Sequence, residues 1–549
     1  MMRSDSSAPS PEAGNRRMWP NLVWTFAVLL FLVLQVSPLV NRVTEDESTL
    51  VCDAQRIVVG QIPYRDFFGL WAPGGYYVFS GGPWGWWGHP ETGCRYLQVA
   101  MVPLFTLCLA LSLVRWGKWA WPLAALLVVA LFPMCAFMGN HWFAVMAYAV
   151  AILLAARLWE ARGGGGSQTG SWIGMGSLAA LAGWFLQTQG FLALVLVLMT
   201  LLLLREPPGT LPRKAFLAAC GALGSSALLL LPVLLAGGGG SMVRDALLWP
   251  LANYRKPGNV ADVPLLDGLA DRVTALCIRP EGANFLGWIL GAVAGGVLYG
   301  ALLLGLAGLL IASLRHLGRV VIRRETFATE STTASVLTVL TLLLFWRVNP
   351  AWVHLIYAMA PILVLWCLVP SKSWHERWCK VYGPALCGLL VFAALYHSRS
   401  YLEGPHAWWE LVDVDRVDRE SALNRSLRAL PFMRTGDTIA VLPFGGNTYL
   451  YTYPPAVGYT QLFVLELDHH TLEDHSRAAQ EIAQHRPKLV LFHAVSEASF
   501  MAPQDPISKA IRNGYTRWTQ TPGVVAYLRK DLMANGHLAP GRQREGTPP

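Results

Sequence analysis

About eleven stretches of this chain are apolar for long enough to cross some 30 Å of hydrocarbon, a span that takes roughly 20 residues of helix. They lie near 21–41, 96–114, 119–138, 141–157, 172–187, 189–204, 215–236, 284–314, 333–347, 351–369 and 381–397. A backbone in lipid must satisfy its own N–H and C=O groups, so repeated spans of this length fold as a helical bundle. Only 14% of the residues are charged while 54% are hydrophobic, against about 25% charged in soluble domains. The expected fold class is therefore an α-helical polytopic membrane protein.

Basic residues set the direction of the bundle. The excess of 43 Lys and Arg over 34 Asp and Glu would suit nucleic acid in a soluble chain, but here it sorts by loop. Arg115 and Lys118, then Arg157 and Arg162, then Arg205, Arg213 and Lys214, then Arg315, Arg319, Arg323 and Arg324, then Lys372, Arg377 and Lys380 occupy every second connection. The intervening turns at Asn140 and Gln187 carry none. Positive loops stay cytoplasmic, which predicts a cytoplasmic N-terminus and, after an odd number of spans, an extracytoplasmic C-terminal part. The expected location is the cell (inner) membrane.

Residues 1–18 read as a disordered cytoplasmic tail, 19–397 as the membrane domain with a first extracytoplasmic loop at 42–95, and 536–549 as a second tail. Charge returns from 398, and short apolar strands near 438–443, 488–492 and 523–528 alternate with helical patterns near 415–430 and 472–485. Such alternation predicts an extracytoplasmic α/β domain over 398–535. Gly163–Ser167 and Gly237–Ser241 read as flexible connectors. The nine cysteines show no metal-site spacing; Cys52 and Cys94, both in the first loop, are a candidate disulfide.

That loop is where the chain spends its charge. Thr44-Glu-Asp-Glu47 is a capping box, Leu50, Val51, Ala54, Ile57 and Val58 follow at helical spacing, and Gly60 and Pro63 close the helix. Glu47 has the capping role and Glu45 complements the helix dipole, which leaves Asp46 as the candidate base for an acceptor hydroxyl or amine, or as a ligand for a divalent metal. Twenty residues on, Tyr64-Arg65-Asp66 offers a second carboxylate. Asp66 either joins Asp46 in one catalytic or metal site, with Arg65 facing a phosphate, or pairs with Arg65 at the surface for under about 1 kcal/mol. Pro73-Gly-Gly-Tyr-Tyr77 reads as a turn with its aromatics at the interface.

Three more segments carry polar chemistry at the membrane edge. In Arg347-Val-Asn-Pro-Ala-Trp-Val-His354, Asn349 and Pro350 start a helix, and an ionisable pair at this depth is expensive and usually functional. Arg347 is either the holder of a lipid phosphate, with His354 assisting, or a snorkelling side chain beside a hydrogen-bonded core His354. His141 opens the fourth span, where metal, substrate or plain packing are all open. Tyr254, in Leu248-Trp-Pro-Leu-Ala-Asn-Tyr-Arg255, belongs to a predicted interfacial helix.

Asp46-Glu47, Arg56-Ile-Val-Val-Gly60, Pro63-Tyr-Arg-Asp-Phe-Phe68 and Pro73-Gly-Gly-Tyr-Tyr77 together resemble the first-loop signature of bacterial GT-C glycosyltransferases, relatives of the protein O-mannosyltransferases and the lipid A aminoarabinose transferases. Ala182-Gly-Trp-Phe-Leu-Gln-Thr-Gln-Gly190, Leu248–Arg255 and Arg347–His354 extend the resemblance. Asn349 stands where the family pattern has aspartate, and Gln187 and Gln189 stand without the usual preceding Lys or Arg. The resemblance implies a GT-C fold, a sugar donor on a polyprenyl phosphate, and Asp46 as catalytic base beside Glu47. Asp66 completes the catalytic set, Arg347, His354 and Arg65 the phosphate contacts, and Tyr64, His141, Gln189 and Tyr254 the substrate contacts. The expected reaction is inverting transfer to an extracytoplasmic glycan, lipid or protein, with a divalent metal as an open cofactor. The alternatives are a lipid-linked-sugar transporter, which would place charge at the bilayer midplane, and a non-catalytic assembly or binding protein.

Overall fold

The computed structural model of the chain describes most of residues 53–80, 90–112, 140–161, 168–204, 208–249, 285–323, 329–348, 352–368, 437–442, 472–493 and 497–534, with Ala124 and 457–458 besides. Backbone alone is described at 90–99, 102, 140, 208, 285–292, 294–299, 301–303, 346–348, 352–356, 441, 457–458, 473–474, 493, 499, 519–521, 524 and 534. The predicted spans at 21–41 and 381–397, all of 119–138 but Ala124, and the helix at 415–430 lie outside these residues.

The apolar runs become helices: α1 Pro73–Ser80, α2 Pro90–Ser112, α3 Asn140–Glu160, α4 Thr169–Phe185, α5 Gln187–Leu203, α6 Leu211–Leu235, α7 Phe285–Ile322, α8 Thr329–Val348 and α9 Trp352–Leu368. Among the described residues three helical stretches, His141–Glu160, Leu211–Leu235 and Leu304–Ile322, are long and apolar enough to cross a membrane. The first is mostly buried within the protein and the other two are mostly exposed. So α3 is the hub, with Trp142, Tyr148, Ile152 and Ala155 in the core and α2, α4, α5 and α9 packed around it. On α6, Phe216, Leu223, Leu228 and Leu235 stay exposed, an apolar surface suited to lipid tails.

Small residues let the helices approach. A Cβ on Gly190 would sit 2.1 Å from the Gly183 Cα, so α4 and α5 cross at bare backbone. A single extended residue, Leu186, separates them. Likewise a Cβ on Gly176 would meet the Ala218 carbonyl at 1.8 Å, which seats α6 against α4. One interior hydroxyl links two helices: the Thr338 hydroxyl donates to the Ala334 carbonyl at 2.7 Å and accepts from the Trp366 indole N–H at 2.9 Å.

Two expectations are corrected. Pro73–Tyr77 is not a turn but the start of α1, with Tyr76, Tyr77 and Phe79 buried. Proline fits the first helical turn, and glycine costs only about 1 kcal/mol in a helix. Here it is required, because a Cβ on Gly74 would stand 2.7 Å from the Trp184 carbonyl. Gly237–Ser241 is not a flexible connector either. Gly237 has φ +79°, its N–H donates to the Leu234 carbonyl and the Gly238 N–H to the Val233 carbonyl. That is a Schellman cap on α6, and a short helix, Gly239–Met242, follows at once.

The C-terminal part is a five-stranded sheet in the order β2-β1-β3-β5-β4, built from β1 Thr438–Leu442, β2 Val457–Gly458, β3 Leu489–His493, β4 Tyr515–Thr521 and β5 Val524–Arg529. β1 runs parallel to β2 and β3, and β5 is antiparallel to β3 and β4. Helices α10 Leu472–His485 and α11 Pro506–Gly514 cover one face through Ala478, Ile482, Ile507 and Ile511. The other face, Ile439, Leu489, Leu491, Ala526 and Leu528, is continuous with the core of the bundle. Neither β4 nor α11 is among the predicted elements: β4 is the polar edge strand Tyr-Thr-Arg-Trp-Thr-Gln-Thr, whereas α11 does carry a signal, in the Asp505 N-cap, Pro506 and the Ile507/Ile511 spacing.

Candidate functional site

The first loop is a built structure. Its helical residues at 53–58 end in a second Schellman cap, with Gly60 at φ +95°, the Gly60 N–H donating to the Ile57 carbonyl and the Gln61 N–H to that of Arg56. The chain then folds on itself. Ile62 N–H donates to Asp66 Oδ2 at 2.8 Å, Asp66 N–H donates to the Ile62 carbonyl at 3.0 Å, and Pro63 bridges to Phe67. Tyr64, at the apex, takes φ +66°, a left-handed conformation that costs on the order of 1–3 kcal/mol for a residue with a Cβ. Burial of its ring, edge-on to Tyr76 at 5.9 Å, offsets this.

Two residues of this loop face outward. Arg65 forks onto Asp66, Nε to Oδ1 and Nη2 to Oδ2, both 2.7 Å. Partial burial pushes the Asp66 carboxyl up, but the Arg65 hydrogen bond, the Ile62 N–H and the charges of Arg65 and Arg56 outweigh it, and its pKa lies below the usual carboxylate value. Both Asp66 oxygens are thus engaged, whereas Arg65 keeps nearly half its side chain in solvent.

Beneath the surface lies a polar group that sequence reasoning did not single out. Asp53 and Arg56 are both buried. Arg56 Nε donates to Gln61 Oε1 at 2.8 Å, and its guanidinium stacks 4.6 Å above the Phe67 ring. Burial pushes Asp53 up to about 7 although the Arg56 charge opposes it, and Asp53 Oδ2 has no hydrogen-bond partner among the described residues. Asp245, at 0% exposure, lies on the π-helical segment Val243–Leu248 that follows Gly239–Met242. Burial raises its pKa, against Arg244, Arg477 and the Gly69 N–H. Burial is the largest cause that pushes the Tyr64 phenol up, with the charges of Tyr77, Asp245 and Asp53 adding to it. The sequence did hold a signal: Asp53 and Arg56 sit three apart on the same stripe as Ala54 and Ile57, and Asp245 interrupts an apolar stretch.

The same end of the bundle gathers other predicted residues. His141, at the head of α3, stacks on Tyr357 at 4.8 Å, and Gln189, at the head of α5, donates Nε2 to the Tyr357 carbonyl at 3.0 Å. Tyr357 lies one turn after His354 on α9, and Arg347 is in the last turn of α8. Gln187 donates to the Ala246 carbonyl at 3.0 Å, which ties the α4–α5 junction to the π segment. Asp46, Glu47, Tyr254, Cys52 and Cys277 lie outside the described residues, as do the side chains of Cys94, Arg347 and His354. Among the described residues no cluster of three His, Cys, Asp or Glu side chains stands close enough to hold a metal.

No family model matches the chain, and no curated protein matches it. Among solved structures, the chain is similar to ArnT from Cupriavidus metallidurans bound to undecaprenyl phosphate, at 13% identity and a TM-score of 0.47, over 92% of this chain and 97% of that one. It is also similar to the archaeal oligosaccharyltransferase AglB from Archaeoglobus fulgidus in complex with an inhibitory peptide and a dolichol-phosphate, at 12% identity and a TM-score of 0.45, over 92% and 74% of the two chains. Likenesses this distant decide neither family nor activity.

Proposed function

We propose that the chain is an integral-membrane glycosyltransferase of the GT-C kind, moving a sugar from a polyprenyl-phosphate donor to an extracytoplasmic acceptor with inversion. One observation carries this reading: the described parts of the family signature pack together. Tyr64 of loop 60–69 lies edge-on to Tyr76 of α1, α1 packs on α4, Gln187 at the α4–α5 junction bonds to the Ala246 carbonyl, and the heads of α3 and α5 meet Tyr357 of α9. A transporter would instead be expected to carry ionisable groups at mid-membrane depth.

In the proposed reaction Asp46 takes the proton of the acceptor hydroxyl or amine as its heteroatom attacks the anomeric carbon. The bond from that carbon to the phosphate oxygen breaks, and its electron pair leaves on polyprenyl phosphate. Arg347, with His354, neutralises the departing phosphate, and Arg65 adds charge from the outer loop. Asp66 acts by holding the Arg65 guanidinium. It fits a metal site poorly, because a cation there must displace both Arg65 and the Ile62 N–H from its oxygens. Tyr64, His141, Gln189 and Tyr254 shape the surroundings of the substrates.

The test is transfer by the purified full-length protein from a panel of polyprenyl-phosphate sugars, with mass analysis of the acceptors. Wild type should transfer at least one sugar, and Asp46→Asn should fold, insert and lose about 10²- to 10⁴-fold in rate. Near-normal transfer by that variant would exclude the mechanism.

A further inference from the structure

Two glutamines flank Thr188 at the start of α5, and each donates Nε2 to a backbone carbonyl of another segment: Gln187 to Ala246 and Gln189 to Tyr357, both at 3.0 Å. Residues two apart on a helix point about 200° apart, so one short junction reaches two neighbours. The acceptors share a sequence feature. Pro361 stands four residues after Tyr357, within α9, and Pro250 four residues after Ala246. In an α-helix a carbonyl accepts from the N–H four residues on, and proline has no N–H to give. Each glutamine thus meets a carbonyl whose α-helical donor is a proline.

The two sites differ in depth. Ala246 lies in the π-helical segment and Gln187 is exposed, so water can replace its bond. Gln189 and Tyr357 are 2% and 1% exposed. Bulk water does not reach that carbonyl, and a buried carbonyl without a donor is costly. Proline is tolerated in a membrane helix where a neighbouring side chain satisfies the freed group, and the Gln189 amide does so here. Helix α3 grips the same residue by its ring: His141 stacks on Tyr357 at 4.8 Å and Trp142 meets it edge-on at 5.4 Å. The part of α9 ahead of Pro361 is therefore held by its carbonyl from α5 and by its ring from α3. It leads back through His354 toward Arg347 at the end of α8.

We propose that Gln189 is a positioning residue: by donating to the carbonyl that Pro361 cannot serve, it locks α9 at its proline and so fixes the half-helix that leads to Arg347 and His354, the predicted contacts of a lipid phosphate. The last clause rests on the glycosyltransferase reading; the lock does not. On this account the junction needs no Lys or Arg ahead of its glutamines, because Gln189 bonds to backbone and not to phosphate.

The experiment is a double-mutant cycle. Gln189→Met keeps the length of the side chain and removes the donor, and Pro361→Ala returns the missing N–H. Backbone hydrogen exchange is followed in full-length protein in lipid nanodiscs, with 211–231 of α6 as internal reference. Residues 353–360 should exchange about tenfold faster in Gln189→Met, the reference helix being unchanged. Added to Pro361→Ala, the same substitution should change their exchange by less than about twofold. Pro361→Ser, which returns the same N–H, should give the same cycle. Binding of undecaprenyl phosphate in the same nanodiscs should weaken about fivefold in Gln189→Met, and by less than about twofold when that change is added to Pro361→Ala. Wild-type exchange in Gln189→Met, or equal acceleration with and without Pro361, overturns the lock, since a role in packing alone does not depend on the proline. Faster exchange with unchanged binding overturns the phosphate clause. Failure of wild type to bind undecaprenyl phosphate sinks the functional reading, while the exchange cycle still decides the role of Gln189.

Discussion

Within fourteen residues the first loop sets two carboxylates beside two arginines, Asp53 with Arg56 and Asp66 with Arg65, and their protonation moves in opposite directions. Asp66 is part-exposed, accepts three hydrogen bonds and is held below the ordinary carboxylate value. Asp53 is buried and rises to about 7. The nearby opposite charge is common to both, so it cannot be what separates them. Hydration and hydrogen bonding to the charged form are. A guanidinium engaged by Gln61 and the Phe67 ring does not replace the water that Asp53 has lost.

Removing the buried arginine should have the largest effect. Arg56→Leu strips the Gln61 hydrogen bond, the stacking on Phe67 and the charge facing Asp53, and should destabilise the loop by about 3–5 kcal/mol. Accelerated exchange over 53–67 is the measure, and a loss near that of Arg65→Ala would erase the contrast between the pairs.

Asp53→Asn should act in the other direction, and with pH. A carboxyl whose folded pKa lies above its unfolded value opposes folding increasingly as pH rises from about 4 to about 7, then levels off. The variant should therefore protect the loop at pH 8 by on the order of a few kcal/mol, with the gain gone by pH 4. Equal protection at both pH values would show that ionisation plays no part.

Asp66→Asn tests the opposite sign. A depressed folded pKa contributes stability above the unfolded value, lost as pH falls through the folded one. The loss should be about 1 kcal/mol at neutral pH, with wild type converging on the variant only below about pH 4. Arg65→Ala should be smallest, under about 1 kcal/mol and screened by salt, although on the glycosyltransferase reading it weakens undecaprenyl phosphate binding. A salt-independent loss of several kcal/mol would mean that Arg65 is not a surface partner.

How much of this was legible follows from the range of the interactions. The described apolar helices, the cap at Gly60, the break between α4 and α5, and strands β1, β3 and β5 are written in local patterns of hydropathy and glycine, because helix length and capping are decided within a few residues. Asp66 and Arg65 were legible as a pair because they are adjacent. Helix α1 was not, since Pro73-Gly-Gly spells a turn until the Trp184 carbonyl, over a hundred residues on, requires the missing side chain of Gly74. Nor was the burial of Asp53, Arg56 and Asp245. Sequence alone determined that this chain makes apolar helices joined at one end by a charged loop. The tertiary structure decided which charges of that loop meet water and which do not, and hydration, which depends on neighbours brought from far along the chain, sets their chemistry.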